Sequence, residues 1–348
     1  MRKIKIILGR IKNRKKIHKA IDGYIEQYNS ISKEQAKKFR KWFYRDTLRT
    51  KLKYGVNEKE YFQGEFFRKS KLAREESMFT GYRFLFRRSL QSVESLKFFS
   101  NKYLLYKRYE KFLGRKYRLV DENTSIAEMK EFLGGGTTFF AKTLDGMGGK
   151  GVEKICVFSD EDIIRFIKDS SKPTLIEEEL KQIDVIAAFN RSSVNTIRIV
   201  TMITQKGDIV IPTASLRIGK DKNCVDNFSS GGIACRINIE SGVITNAVDA
   251  TGRKYIFHPN SGLQLIGFRI PEWDKYKQFA IKLAKQDTSM RYVGWDIIMD
   301  ESNQCCMIEG NEGAGFDVQE MPIGNIGLKF YYLALLNDNE QFNYNRFE

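Results

Sequence analysis

Gly294-Trp295-Asp296-Ile297-Ile298-Met299, the polar run Asp300-Glu301-Ser302-Asn303-Gln304, and then Met307-Ile308-Glu309-Gly310-Asn311 form the stretch on which the reading of this chain turns. Two apolar arms around a short polar break predict a β-hairpin. With Ser302-Asn303 as the turn centre, Asp296 lies opposite Glu309, roughly 5 Å away between Cβ atoms. Asn311, two residues beyond Glu309, projects from the same face. Two carboxylates and an amide oxygen repel one another there unless a cation lies between them. An all-oxygen set suits a hard ion such as Mg²⁺, which is normally shared with substrate phosphates. A solvated hairpin end with ordinary acids gives the same pattern, and the hairpin alone does not choose.

The chain has 348 residues, 42% of them hydrophobic, enough for two or three domains. No apolar run approaches the ~20 residues of a membrane span. The start, Met1 to Arg10, has the charge of a signal peptide but too short an apolar core. The expectation is a cytoplasmic protein. Cysteines 156, 224, 235, 305 and 306 form no C-x-x-C pair, which suits buried thiols in a reducing compartment. With only His18 and His258, histidine-rich zinc sites are nearly excluded and a Ser-His-Asp triad has one candidate. Carboxylates, lysines and arginines must carry the chemistry. Charge is uneven. Residues 1–118 hold 34 Lys and Arg against 11 Asp and Glu, whereas the remainder is acidic.

The first 95 or so residues read as a basic, mostly helical region. Ser32 caps a segment with Ala36, Phe39, Trp42, Phe43 and Leu48 at helical spacing and lysines and arginines between them. Such a face suits an anionic membrane surface, a phosphate-rich substrate, or plain solvent. No recognisable nucleic-acid module is present, so nucleic acid is not the expected partner. From residue 96 the pattern becomes mixed α and β. Ser95 to Lys116 reads as helical. Strands are expected at 137–144, 152–158, 174–180, 196–203 and 209–217, with Ser159-Asp-Glu-Asp162 opening a helix. The expected division is 1–95, 96–190 and 191–348.

Gly146-Met147-Gly148-Gly149-Lys150-Gly151 matches G-x-G-x-x-G, but a strand rather than a helix follows it, so it is not a dinucleotide fingerprint. Nor is it a P-loop. A glycine-rich hairpin lying over phosphates remains, with Lys142 on the incoming strand in reach of the same anions. A mobile surface hairpin with an exposed lysine is the alternative.

Taken together, Phe139-Phe140-Ala141-Lys142, the glycine loop, Leu175-Ile176-Glu177-Glu178-Glu179-Leu180 and the Asp296…Asn311 hairpin resemble the ATP-grasp superfamily over about residues 96–330. Ser193 to Thr201, His258-Pro-Asn-Ser-Gly262 with Gly267 to Trp273, and Gly294-Trp-Asp296 resemble its sugar-transfer-associated group, found with polysaccharide biosynthesis genes such as those for capsule. The resemblance implies an α+β fold with ATP between two α+β lobes. Lys102, Lys142 and the loop glycines Gly146, Gly148, Gly149 and Gly151 would meet the phosphates. Glu177, Glu179 and Leu180 would form the adenine hinge, and Asp184 would hold the ribose. Asp296, Glu309 and Asn311 would ligate Mg²⁺, with Arg198 and Arg217 balancing the transferred phosphoryl group. Thr143 stands where many relatives carry proline, and the helical start is unlike the usual first domain.

The implied activity is an ATP-dependent carboxylate–amine ligase working through an acyl phosphate, on a sugar or glycan carboxylate and an amine. Alternatives are a kinase of the same fold or a non-catalytic glycan-assembly protein. The Asp226-Asn-Phe-Ser-Ser-Gly231-Gly232 loop and His258 are candidates for the acceptor pocket, against ordinary turns. Contact with the inner face of an anionic membrane fits the basic start.

Overall fold

The computed structural model describes residues 2–26, 32–78, 80–146, 151–170, 172–220, 228, 231–324 and 326–342. The chain opens with helices α1 (Arg2–Glu26), α2 (Lys33–Tyr54), α3 (Glu58–Gln63), α4 (Lys71–Glu76), α5 (Thr80–Ser89) and α6 (Val93–Phe99). Ser32 caps α2 by accepting from the Gln35 amide, with Gln35 reaching back in a full capping box, and Gly55 closes the helix at φ +74°. Among the spaced apolar residues of α2, Phe43 is buried with Ile17, Ile21, Tyr61, Phe62 and Phe66, whereas Phe39 and Trp42 are exposed. Helix α5 packs elsewhere: Phe86 and Leu90 join Val200, Met202, Tyr292, Phe316 and Tyr332. Where Ser95 to Lys116 reads as one helix, the structure has α6, α7 (Lys102–Arg108, capped by Asn101) and a 3₁₀ turn at Glu110–Phe112.

Two antiparallel sheets follow, so the fold is α+β as expected. The small one orders β1 (Tyr117–Val120), β4 (Thr174–Glu177), β2 (Thr138–Thr143) and β3 (Val152–Cys156). One face is covered by α8 (Ile126–Leu133) and α9 (Asp160–Asp169), through Met129, Phe132, Phe139, Ile163 and Ile167. Ser159 caps α9 by accepting from the Asp162 amide. A single turn, α10 (Asp184–Ala187), leads to the large sheet. That sheet orders β10 (Cys305–Asn311), β9 (Tyr292–Met299), β5 (Ile197–Ile203), β6 (Ile209–Ile218), β7 (Ile233–Ile237) and β8 (Ile244–Asp249). Helices α11 (Trp273–Gln286), α12 (Phe316–Glu320) and α13 (Lys329–Leu336) complete the chain.

The two faces of the large sheet divide by strand alternation. Ile197, Ile199, Leu216, Cys235, Trp295, Ile297 and Met307 pack under α11, α6 and α7. The opposite face carries Val200, Met202 and Tyr292 at one end, under α5 and α13. Towards the other end the same face turns polar: Arg198, Arg217, Asp296, Glu309 and Asn311.

The hairpin reaches its expected pairing by an unexpected route. Near the turn, Cys305 pairs with Met299 and Met307 with Ile297, one residue out of step with a Ser302-Asn303 centre. A bulge at Ile308 then shifts the register, so that Glu309 pairs with Asp296 and Asn311 with Gly294. Asn303 takes the positive φ of the tighter turn, +57°.

Glu320 ties the helical region to the C-terminal segment, accepting from the amides of Met78 and Leu328. Beside it, a Cβ at Gly327 would lie 2.2 Å from the Glu76 carbonyl carbon and 2.3 Å from the Ser77 nitrogen. Backbone cannot give way as a side chain does. Gly327→Ala should therefore cost about 2 kcal/mol of stability, in the range of overpacking changes, read as a fall in denaturation midpoint. An unchanged midpoint would refute this close approach.

Candidate functional site

A cleft of about 1260 Å³ separates the two sheets, and its walls hold most of the residues singled out from the sequence. From the large sheet comes a row set by register alone. Glu309, Asp296, Arg198, Ser215, Arg236 and Asn246 are successive cross-strand neighbours from β10 to β8. Asp296 is 3% exposed. Arg198 bonds it through Nε and Nη2, the latter at 2.7 Å, and Arg217 Nη1 lies 2.9 Å from Oδ2. Burial would raise this carboxyl, but the two guanidinium groups outweigh it and hold it below the ordinary value. Asn311 Nδ2 is 3.4 Å from the same Oδ2. Gly294 makes room for this arrangement, since a Cβ there would lie 3.0 Å from Arg198 Cδ and 2.6 Å from Ala314 Cβ.

The small sheet contributes a buried quartet. Lys142 on β2 pairs with Glu177 on β4, whose Oε2 also accepts from Tyr106 at 2.7 Å and Arg115 at 2.9 Å. Burial would raise Glu177, but Arg115 and then Lys142 bring it down to about 2. The quartet crosses the cleft. Arg115 donates to the Met307 carbonyl at 2.8 Å and Tyr106 to the Ile308 carbonyl at 3.1 Å. The bulge that sets Glu309 opposite Asp296 is thus bonded to the group that holds Lys142. Tyr106 and Arg115 escape a motif reading because they lie on α7 and in the short link before β1, outside any recognisable motif.

Lys102, at the start of α7, bonds the Gly146 carbonyl and lies 3.5 Å from Glu309. Gly146 lines the cleft, while Gly148 and Gly149 lie outside the described residues. Gly151, at φ +72°, has Thr143 Oγ1 2.7 Å from where a Cβ would stand. Its carbonyl accepts the Thr143 amide at 3.1 Å. Proline at 143 would have no amide to give that bond. Glu179 and Leu180 line the cleft, with Glu179 bonded to Lys154 at 2.8 Å; of the three residues expected at the hinge, only Glu177 has a buried side chain. Asp184 sits exposed at the mouth, paired with Arg191 at 2.6 Å.

His258 is buried, its Nε2 3.0 Å from the Gly219 carbonyl and its Nδ1 3.1 Å from the Ser261 hydroxyl, and it does not line the cleft. Of the 226–232 loop, Phe228 lines the cleft; Asp226, Asn227, Ser229 and Ser230 lie outside the described residues.

The donor set fits a magnesium ion in kind. Glu309, Asn311 and Asp296 offer oxygens on one face, and among the described residues no cluster of three His, Cys, Asp or Glu offers another metal centre. Asp296, however, already accepts three guanidinium N–H groups and the Asn311 amide, about as many as a carboxylate takes. Its entry into a coordination shell requires one of them to let go. Among the described residues no helix is long and apolar enough to cross a membrane.

Because Glu177 lies far below the carboxylate value of an unfolded chain, about 4.3, its stabilisation is complete above that value. It is lost as pH falls towards 2. Acid titration of wild type should show a loss of stability in that window that Glu177→Gln lacks; parallel curves would dissociate the quartet from stability.

Residues 166–329 match the family described as sugar-transfer associated ATP-grasp. No curated protein matches the chain. Among solved structures, the Staphylococcus aureus N5-carboxyaminoimidazole synthetase complexed with ADP is similar at 10% identity and a TM-score of 0.45, over 73% of this chain and 56% of that one. D-alanyl-alanine synthetase A from Vibrio cholerae is similar at 15% identity and a TM-score of 0.43, over 69% and 64%. The ATP-grasp ligase PsnB, complexed with minimal precursor, is similar at 14% identity and a TM-score of 0.38, over 65% and 56%. The chain spans about half the length of the first solved structures it matches. The matched residues, just under half of the chain, run from α9 across the large sheet to the start of α13, and it is this part that is similar to the sugar-transfer associated ATP-grasp family.

Proposed function

We propose that this protein is an ATP- and Mg²⁺-dependent carboxylate–amine ligase that activates a sugar or glycan carboxylate as its acyl phosphate. The observation that carries the reading is the charge of the cleft. Acids and bases nearly balance over the whole lining, but Lys102, Lys142, Arg115, Arg198 and Arg217 gather around Glu177, Asp296 and Glu309, a local cluster of cations in a space the size of a nucleotide and a second substrate.

In this reading Lys142 and Lys102 hold the phosphates, and Glu179 and Leu180 border the base. Glu309 and Asn311, with Asp296 behind them, hold magnesium, which when bound neutralises phosphate charge. The substrate carboxylate oxygen attacks the γ-phosphorus, the bond to the β-phosphate oxygen breaks, and ADP leaves. Arg198 or Arg217, released from Asp296, stabilises charge on the transferred group. The amine nitrogen then attacks the acyl carbon. Phosphate departs and the nitrogen loses a proton, giving the amide.

Arg236 favours a carboxylate substrate over a hydroxyl. It is the next charged member of the cross-strand row and lines a cavity of about 210 Å³ together with Arg198 and Ser215. Among the described residues it has no ion-pair partner within 4 Å, and burial lowers its affinity for a proton. A substrate carboxylate supplies the missing counter-charge. The family's association with sugar transfer supports a sugar frame for that carboxylate.

Calorimetry should show Mg²⁺-dependent ATP binding that is lost in Asp296→Asn and Glu309→Gln with the fold intact. Binding retained in both would sink the site. With ATP, Mg²⁺, glucuronate or another uronate, and an amine, ADP and phosphate should appear in equal amounts. ADP without free phosphate would make the protein a kinase, and no turnover with any pair would leave a binding protein. For an accepted uronate, Arg236→Ala should raise KM about tenfold, the worth of one charge-assisted hydrogen bond, with ATP affinity unchanged. An unchanged KM would remove Arg236 from the substrate.

A further inference from the structure

A second cavity, of about 390 Å³, lies where the helical region meets the C-terminal lobe. Its walls come from α3 and the turn after it, from Met78, from the strand-end residues Val248 and Gly252, and from α12. It adjoins the cleft, since Asp317 lines both.

Its interior holds two charges that do not meet. Lys69 is 9% exposed and Glu320 8%. Both line the cavity, and neither has an ion-pair partner within 4 Å among the described residues. The Lys69 ammonium, with three protons to give, donates one hydrogen bond, to Ser77 Oγ at 3.0 Å, and lies 5.1 Å from the centre of the Phe66 ring. Glu320 uses one oxygen, Oε1, for both the Met78 and the Leu328 amides, at 2.8 and 2.9 Å. Among the described residues its Oε2 has no hydrogen-bond partner. Burial lowers the proton affinity of Lys69 and raises that of Glu320; the field of each on the other, and of the buried Glu76 on Lys69, offsets only part of that desolvation cost, and a counter-charge bound in contact would relieve more of it.

The rim adds no strong net charge. Arg68 pairs with Glu65 at 3.0 Å and Arg83 with Glu60 at 3.3 Å, leaving Lys59 and Lys254 against Asp317. A lone anion would satisfy Lys69 but face Glu320. A lone amine would do the reverse.

We propose that this cavity binds a small zwitterion, an α-amino acid in chemical class, its carboxylate on Lys69 and its ammonium on Glu320. Binding follows from the cavity alone. That the bound amino acid is the amine joined in the ligase reaction rests on the function proposed above and on Asp317 standing between the two spaces.

Met78 and Met321 both line the cavity, which supplies a readout in the intact chain. Full-length protein carrying ¹³C-methyl methionine is titrated, without ATP, with the protein amino acids in pools and then singly. Acetate, methylamine and inorganic phosphate serve as controls, and Met78→Leu and Met321→Leu assign the signals. At least one amino acid should move the Met78 and Met321 signals and leave Met129 and Met299, in other cores, in place. Lys69→Met and Glu320→Gln should each weaken binding at least tenfold. Glu320→Gln keeps an oxygen for both amides, so it serves if Lys69→Met does not fold.

The proposal fails if no amino acid moves either signal, if acetate or phosphate moves them as strongly, or if both folded variants bind like wild type. The two readings separate cleanly. Amino-acid binding without turnover overturns the ligase and keeps the site; turnover with silent Met78 and Met321 overturns the site and keeps the ligase.

Discussion

One buried carboxylate shared between two guanidinium groups organises this molecule. Asp296 is inside the protein, where an unpaired charge would cost several kcal/mol. Arg198 and Arg217 make its ionised form tolerable. The sharing is possible because β5, β6 and β9 carry these residues on one face, in direct or diagonal register. It also needs Gly294, two residues before Asp296 on that face, because a side chain there would collide with Arg198. The net result is a fixed positive field beside a pair of oxygen donors on β10. Such preorganisation matters more to phosphate chemistry than any single contact, because dipoles and charges held in place need not reorganise as charge moves.

The second anchor is coupled to the first through backbone. Tyr106 and Arg115 bond the carbonyls of Ile308 and Met307, on the inside of the bulge, and the same two side chains embrace Glu177, the partner of Lys142. Small sheet and large sheet thus meet through one hydrogen-bonded group. The register that sets Glu309 beside Asp296 and the position of Lys142 are not independent.

Much of this was legible in the sequence because it is local. Alternation gave the strands, Ser32 and Ser159 marked helix starts, and the acidic hairpin announced itself by two apolar arms around a polar turn. Even so, Asp296 meets Glu309 through two departures that cancel: the turn sets the pairing one residue out of step with a Ser302-Asn303 centre, and the bulge at Ile308 restores it. Nothing in Met307-Ile308-Glu309 signals a bulge, and the donors that satisfy its carbonyls arrive from residues 106 and 115. Arg236 was silent for a related reason. A single arginine in a strand carries no pattern, and what marks it is that its cross-strand partners, Ser215 and Asn246, are both uncharged.

The sequence by itself determined the α+β character, the strand-loop-strand around the glycines, and the oxygen-rich hairpin, because each depends on periodicity and turn chemistry within a few residues. Only the tertiary structure decided that Asp296 is held by arginines, that Glu177 is buried under Lys142 and Arg115, and that Lys69 and Glu320 face one cavity without touching. Those are meetings between residues tens to hundreds of positions apart. Their energy depends on distance and burial, and neither quantity exists until the chain has folded.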